Sequence, residues 1–380
     1  MEKKTKKQVL PPYFLVQGLN GFRKFLLKLN RTLYPGNAVL YEQFQSFWLL
    51  PSLYVAAKLD VAACLKDGPL SAEAIAAQRS VHPVALARVL RALSAEGIFK
   101  KNKEGLFALN GRARALLDGE GSLRYMLIHH LGPNNWRTVG ELMHTVQTGE
   151  EAFSKIFGTD IYGYLQDHPE AYAVFDRAMS DLSSLGLAPL LAAYPFGKYH
   201  TIADIGGGEG GLLSAILSEN PEARGILFDL PEALIKAPAY LKEQGTEGRV
   251  TLIEGDFLRA VPVQADLYIL KNVIHNWDDE HSALILSRIR QSMPSHAKII
   301  IIEMIVPETG GSPTPALLDI QMLVSCHNAK ERTKKEFEAL VSAAGMKIGK
   351  VARTIAPVAV IEVTQAPTDN RQPITDNRQL

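Results

Sequence analysis

The chain has 380 residues, 47% of them hydrophobic and 21% charged, with a formal net charge of +1. This length and composition allow two domains with full hydrophobic cores and exclude a disordered or collagen-like chain. The near-neutral balance excludes a global basic field for nucleic acid, and the lone, distant Cys64 and Cys326 exclude a disulfide framework or a thiolate zinc site.

The start, MEKKTKK, is basic, but Pro11, Pro12, Gln17, Gly18 and Asn20 break the apolar run behind it and no small-residue cleavage site follows. No signal peptide is expected. No window reaches the roughly 18 consecutive apolar residues of a spanning helix, so a soluble, cytoplasmic protein is the expectation. Residues 13–34 place Phe14, Phe22, Phe25, Leu26 and Leu29 at helical spacing, with Arg23, Lys24, Lys28 and Arg31 elsewhere around the helix. We read residues 1–35 as a basic amphipathic extension that packs on a partner subunit or on its own core, with a membrane surface as the lesser alternative.

Residues 36–196 keep a helical pattern. Within them, 70–118 read as helix, turn, helix and short hairpin, a winged-helix order, with Ser71 as an N-cap and Pro83 in the first turn of the second helix. From 197 to 366 the grammar changes to seven apolar strands alternating with helices: HTIADIG, ARGILFD, RVTLIEGD, ADLYILKN, AKIIIIEMI, MKIGKVART and VAVIEVT. Such alternation predicts an α/β fold with a mostly parallel sheet covered on both faces. The last two strands are too close, across Pro357, for a crossover helix, so the final one is antiparallel. The tail at 367–380 repeats TDNRQ and is expected to be disordered.

The turn after the first of these strands reads DIGGGEGG. Gly206, Gly208 and Gly211 satisfy G-x-G-x-x-G, and Asp204, Gly206, Gly208 and Gly210 equally satisfy D-x-G-x-G-x-G. The loop alone therefore fits a dinucleotide or S-adenosylmethionine. Glu209 inside the turn and Asp204 just before it would repel a pyrophosphate, whereas a cationic, phosphate-free ligand tolerates both. Asp229 ends the second strand, where a carboxylate can bind ribose hydroxyls. Asp256 ends the third, beside Phe257, where it can accept from an adenine amino group. Three acidic strand ends around one crevice favour S-adenosylmethionine.

With DIGGGEGG, FDLPEAL, GDFL, LKNVIHNWDDE, IIIEMIVPE and KERTKKEFEAL in that order, the chain from about residue 40 to 365 resembles the class I small-molecule O-methyltransferases. The resemblance implies a C-terminal Rossmann-like, seven-stranded sheet with its last strand antiparallel, and a mainly helical N-terminal winged-helix domain that forms a homodimer. It implies Asp204, Gly206, Gly208, Asp229, Leu230, Asp256, Phe257 and Lys271 as cofactor-binding residues, S-adenosylmethionine as cofactor, and no metal. It also implies His275 as general base, flanked by Glu303 and Glu331, one of which accepts the imidazole N–H. A phenol has a pKa near 10 and imidazole near 6.5, so a neutral, oriented histidine can take the proton as the oxygen becomes acidic. Asp278 and Asp279 read as helix-capping residues.

Two departures from the family pattern stand out. Asn276 follows the histidine where many relatives have Asp, and Asn328-Ala329 replaces a double glycine before KERT. The resemblance places the acceptor pocket between the sheet edge and the helices before residue 190, with Trp136, Phe175, Met179, Met322 and Asn328 as candidate substrate-binding residues. His129, His130, Asn134 and Asn135 are further polar candidates, and the two histidines lack companions for a metal site. The leading reading is O-methylation of a phenol or enol on an aromatic or polyketide-like small molecule. One alternative keeps the cofactor for hydroxylation, decarboxylation or cyclisation. Another is a winged-helix DNA-binding regulator, disfavoured because its candidate recognition helix offers only Arg88 and Arg91 for phosphates and no Asn or Gln for bases.

Overall fold

The structure is a computed structural model and describes residues 13–119 and 121–366. The basic start and the repeated tail lie outside the described residues. The chain divides into two compact units. One runs up to Ala192 and takes in Leu318–Asn328, and the other comprises Ala193–Leu317 and the chain from Ala329 onward.

The N-terminal unit opens with α1 (Tyr13–Leu33) and α2 (Gly36–Lys58). Its core forms around the helices Ala72–Arg79 and Pro83–Ala95. Ser71 caps the first by accepting from the Ala74 amide at 3.2 Å, a contact worth about 1 kcal/mol. His82 caps the second through its ring nitrogen, and Pro83 occupies the first turn, where its missing N–H costs nothing. Leu86, Leu90 and Leu93 recur at helical spacing and bury completely against Ile75, Phe99 and Phe107. A two-strand hairpin, β1 (Lys100–Lys101) with β2 (Phe107–Ala108), completes the wing. No helix among the described residues is long and apolar enough to cross a membrane.

In the second unit, β3 (Thr201–Ile205), β4 (Arg224–Asp229), β5 (Val250–Glu254), β6 (Leu267–Lys271) and β7 (Lys298–Val306) are mutually parallel. Two further long strands, β9 (Met346–Arg353) and β10 (Val358–Gln365), follow the short β8 (Arg332–Thr333) in the chain. The spatial order is β5-β4-β3-β6-β7-β10-β9, and β10 runs antiparallel to both of its neighbours. These are the seven strands expected from the sequence. The structure adds β8, which pairs with the end of β7 through Ile305–Arg332 and Val306–Thr333. Ile299 to Ile302 are all buried, as expected for strands covered on both faces. Strand order reverses between β3 and β6, so their carboxyl ends open a crevice.

Candidate active site

At the end of β3 the chain turns through Gly206 at φ 72° and Gly208 at φ 58°, conformations that side-chain-bearing residues rarely adopt. A Cβ on Gly206 would also lie 2.9 Å from Val273 Cγ2. Asp229, closing β4, accepts from the Gly208 amide through one oxygen and from the Leu230 amide through the other, each at 2.8 Å. Burial raises the Asp229 pKa, and these two amides partly counter it. The second strand's carboxylate thus holds the glycine turn while lone pairs remain for a ligand.

Asp204 sits differently. It is only 2% exposed, and a Cβ on Gly207 would come 2.7 Å from its carboxyl carbon, so the side chain lies directly beneath the turn. Burial pushes its pKa up to about 7; the Lys271 ammonium opposes this, Asp229 adds to it, and the Leu213 amide donates to the carboxylate. Burial lowers the Lys271 pKa in turn, with Asp204 opposing. Asp204 and Lys271 are therefore electrostatically coupled floor residues rather than exposed ends. Asp256 accepts from the Leu258 amide at 2.8 Å and keeps Arg259 at 3.4 Å. Phe257 meets Trp277 edge-on at 5.9 Å, and Leu230 stays exposed beside Asp229. Trp277, two residues past His275, thus joins the histidine motif to the strand end that carries Asp256 and Phe257.

The histidine cluster is assembled from three distant segments. After β6, Asn272 adopts φ 53°, and a tight turn at Ile274–Asn276 presents His275. The ring Nδ1 lies 2.7 Å from Glu331 Oε1, while the His275 backbone N–H donates to Glu303 Oε1 at 3.0 Å. The two glutamates therefore divide the work: Glu331 holds the ring and Glu303 holds the main chain. A carboxylate can only accept, so Nδ1 carries the proton and Nε2 offers its lone pair. Burial works against charge on His275, but the Glu331 hydrogen bond and the attraction of Glu303 and Glu331 prevail, placing its pKa above the ordinary imidazole value. Burial raises the Glu303 pKa, with His275 pulling the other way.

Arg332, for which the sequence alone predicts no role, locks this turn. Its side chain is fully buried and donates to the carbonyls of Ile274 at 3.1 Å and Trp277 at 2.8 Å, on either side of the histidine. It also donates to Ser282 Oγ and Asp279 Oδ1. Asp278 caps the helix Asp279–Ser292, whereas Asp279 pairs with Arg332 and Lys330. Asn276 donates from its side-chain amide to the Asn272 carbonyl at 3.2 Å, a bond an aspartate could not donate. Asn328 takes φ 58°, the left-handed region that asparagine tolerates better than most residues, so the loop keeps a backbone suited to the glycine it replaces.

The candidate acceptor residues all fall in the N-terminal unit. Trp136 spends its indole N–H on the Leu131 carbonyl and packs edge-on against Phe47, and Met322 is buried. Phe175 and Met179 lie partly exposed on the helix Pro169–Ala193, with Phe175 against His129. Burial, then the neighbouring His130, lowers the His129 pKa to about 4, so this ring stays neutral. Asn328 is exposed and bonds to His327. Among the described residues no group of three or more His, Cys, Asp or Glu could hold a metal.

Comparison with known proteins bears on these arrangements together. The O-methyltransferase domain family matches residues 139–347, and the O-methyltransferase dimerisation domain matches 41–119. A phenazine O-methyltransferase, PhzM of Lysobacter antibioticus, is 39% identical over 86% of this chain and 96% of its own length. The crystal structure of LaPhzM superposes with a TM-score of 0.81 at 39% identity, covering 88% of this chain and all of that one. The calicheamicin-biosynthesis methyltransferase CalO1, solved with S-adenosylhomocysteine, superposes with a TM-score of 0.77 at 32% identity, covering 87% of this chain and 98% of its own. The bare glycine turn, the carboxylates at its rim and the absence of any phosphate-directed cation in the loop fit that cofactor. The chain belongs to the O-methyltransferase family and is an S-adenosylmethionine-dependent O-methyltransferase with a dimerisation domain.

Proposed function

We propose that the protein methylates a phenolic or enolic hydroxyl on a flat aromatic natural product, with His275 as the general base. The observation that carries this reading is the 2.7 Å contact between His275 Nδ1 and Glu331, which leaves Nε2 as the acceptor for the hydroxyl proton. S-adenosylmethionine, when bound, supplies an already electrophilic methyl group. The protein's own contribution is to orient the acceptor and to take its proton, and the proton transfer alone supplies about 10²- to 10⁴-fold. Glu331 stabilises the imidazolium that forms, Glu303 fixes the backbone bearing it, and Arg332 keeps the turn from shifting.

Gly206 and Gly208 would let the backbone approach the cofactor. Asp229 and Asp256 would bind ribose and adenine, beside Leu230 and Phe257, with Asp204 and Lys271 shaping the floor. Phe175 and Met179 are the better candidates for an acceptor wall, because Trp136 and Met322 are already engaged in packing. The matched relative is named for a phenazine, which agrees with a planar acceptor. A second copy of this chain would bind through the N-terminal unit, where the dimerisation match begins and Tyr41, Phe44 and Trp48 of α2 are exposed.

The test pairs titration against S-adenosylhomocysteine and NAD with a mass-spectrometric screen of hydroxylated phenazines and naphthoates. Methylated product with the parent, and its loss in His275→Ala with S-adenosylhomocysteine binding intact, supports the reading. Methyl transfer that survives His275→Ala refutes the role of His275. Cofactor binding with an acceptor converted to a product that has gained no methyl group points to a non-methylating reaction.

A further inference from the structure

Helix α1 lies ahead of the matched dimerisation domain, which begins at residue 41. Every described side chain on α1 except Val16 is exposed. At about 100° per residue, Leu15, Leu19, Phe22, Phe25, Leu26 and Leu29 fall within an arc of about 120°. Arg23, Lys24, Lys28 and Arg31 lie outside that arc, and the helix contains no acidic residue. The charge is concentrated here: the first 33 residues carry eight Lys or Arg against one Glu, which leaves the rest of a chain of net +1 negative overall.

Two occupants could cover the apolar arc. A second copy would bring the same four cations to an α1–α1 contact, and α2 offers only Glu42 as an acid, so charge is matched poorly there. An anionic bilayer offers an apolar layer beneath a negative one, the two properties α1 displays side by side. We propose that α1 docks the enzyme on an anionic lipid surface, with its apolar arc at the acyl boundary and its cations among the headgroups. The solved relatives, which align over 98% or more of their own chains yet cover 87% and 88% of this one, leave room for such an addition.

The test is co-sedimentation of the full-length protein with vesicles of phosphatidylcholine alone or of phosphatidylcholine with one quarter phosphatidylserine, at low and high salt. The expected result is binding at least about tenfold stronger to the anionic vesicles, weakened by salt. Lys24→Glu with Lys28→Glu, and separately Phe22→Gln with Phe25→Gln, should each reduce that binding about tenfold or more. Methyl transfer in solution should be unchanged in both. Failure of the parent to sediment with anionic vesicles overturns the proposal, as does binding that survives both pairs of substitutions. If Phe22→Gln with Phe25→Gln converts a dimer to a monomer while the parent ignores vesicles, α1 belongs to a second copy instead.

Discussion

The glycine turn and the histidine cluster sit at the same edge of one sheet but are built in opposite ways. The turn is a single stretch, residues 204–211, whose shape follows from backbone conformations that glycine alone adopts easily, with Asp229 reaching back to hold it. The cluster is made of side chains from residues 275, 303 and 331, joined by contacts that cross 28 and 56 positions of sequence. A local site tolerates change elsewhere and fails through its own backbone. A dispersed site depends on every segment that delivers a group to it.

The sharpest way to test this difference is His275→Ala, which should lower kcat/KM by about 10²- to 10⁴-fold while leaving S-adenosylhomocysteine affinity within about twofold. Arg332→Ala comes next. It removes the buried guanidinium that ties together two backbone carbonyls, Ser282 and Asp279, and should cost about 3 kcal/mol of stability in urea titration along with a fall in kcat larger than any change in cofactor affinity. A result in which Arg332→Ala weakened cofactor binding as strongly as turnover would erase the distinction between the two sites.

Gly206→Ala should show the converse, with cofactor affinity reduced about tenfold by the φ of 72° and the 2.9 Å approach to Val273, and only a secondary effect on turnover at saturation. The pH profile then probes the cluster alone. His275 is held above the ordinary imidazole value, and a base must be unprotonated, so kcat/KM should fall as pH drops through a midpoint higher than that of free imidazole. Glu331→Gln, which removes the negative partner, should move this limb to lower pH. The smallest effect expected is for Asn328→Ala, about 1 kcal/mol of stability, because alanine has no side-chain bond to offset a left-handed conformation.

The same contrast explains what could be read from the sequence. The seven long strands, the antiparallel last one and the glycine turn were visible because each is encoded by neighbours in the chain. The acidic strand ends were visible as residues, but not that Asp204 is buried beneath the turn while Asp229 faces its amides, since that depends on how tightly Gly207 packs. The family pattern supplied Glu303 and Glu331 as a pair, yet only the geometry assigns one to the ring and the other to the backbone. No local pattern marks Arg332 as buried, and nothing in its neighbours says that it reaches 58 residues back to Ile274. The grouping of Leu318–Asn328 with the N-terminal helices is likewise a long-range fact.

The position of β10 carries a consequence for how the protein is made. Glu303 lies on β7, whose second long neighbour is β10, with Ala359 directly opposite the glutamate. Until residues 358–365 have left the ribosome, that side of β7 is an open strand edge along the buried isoleucines Ile299 to Ile302. The wall behind His275 is therefore the last part of the sheet to close during synthesis. A chain stalled before that point would offer neighbouring chains an apolar edge that the finished protein keeps covered.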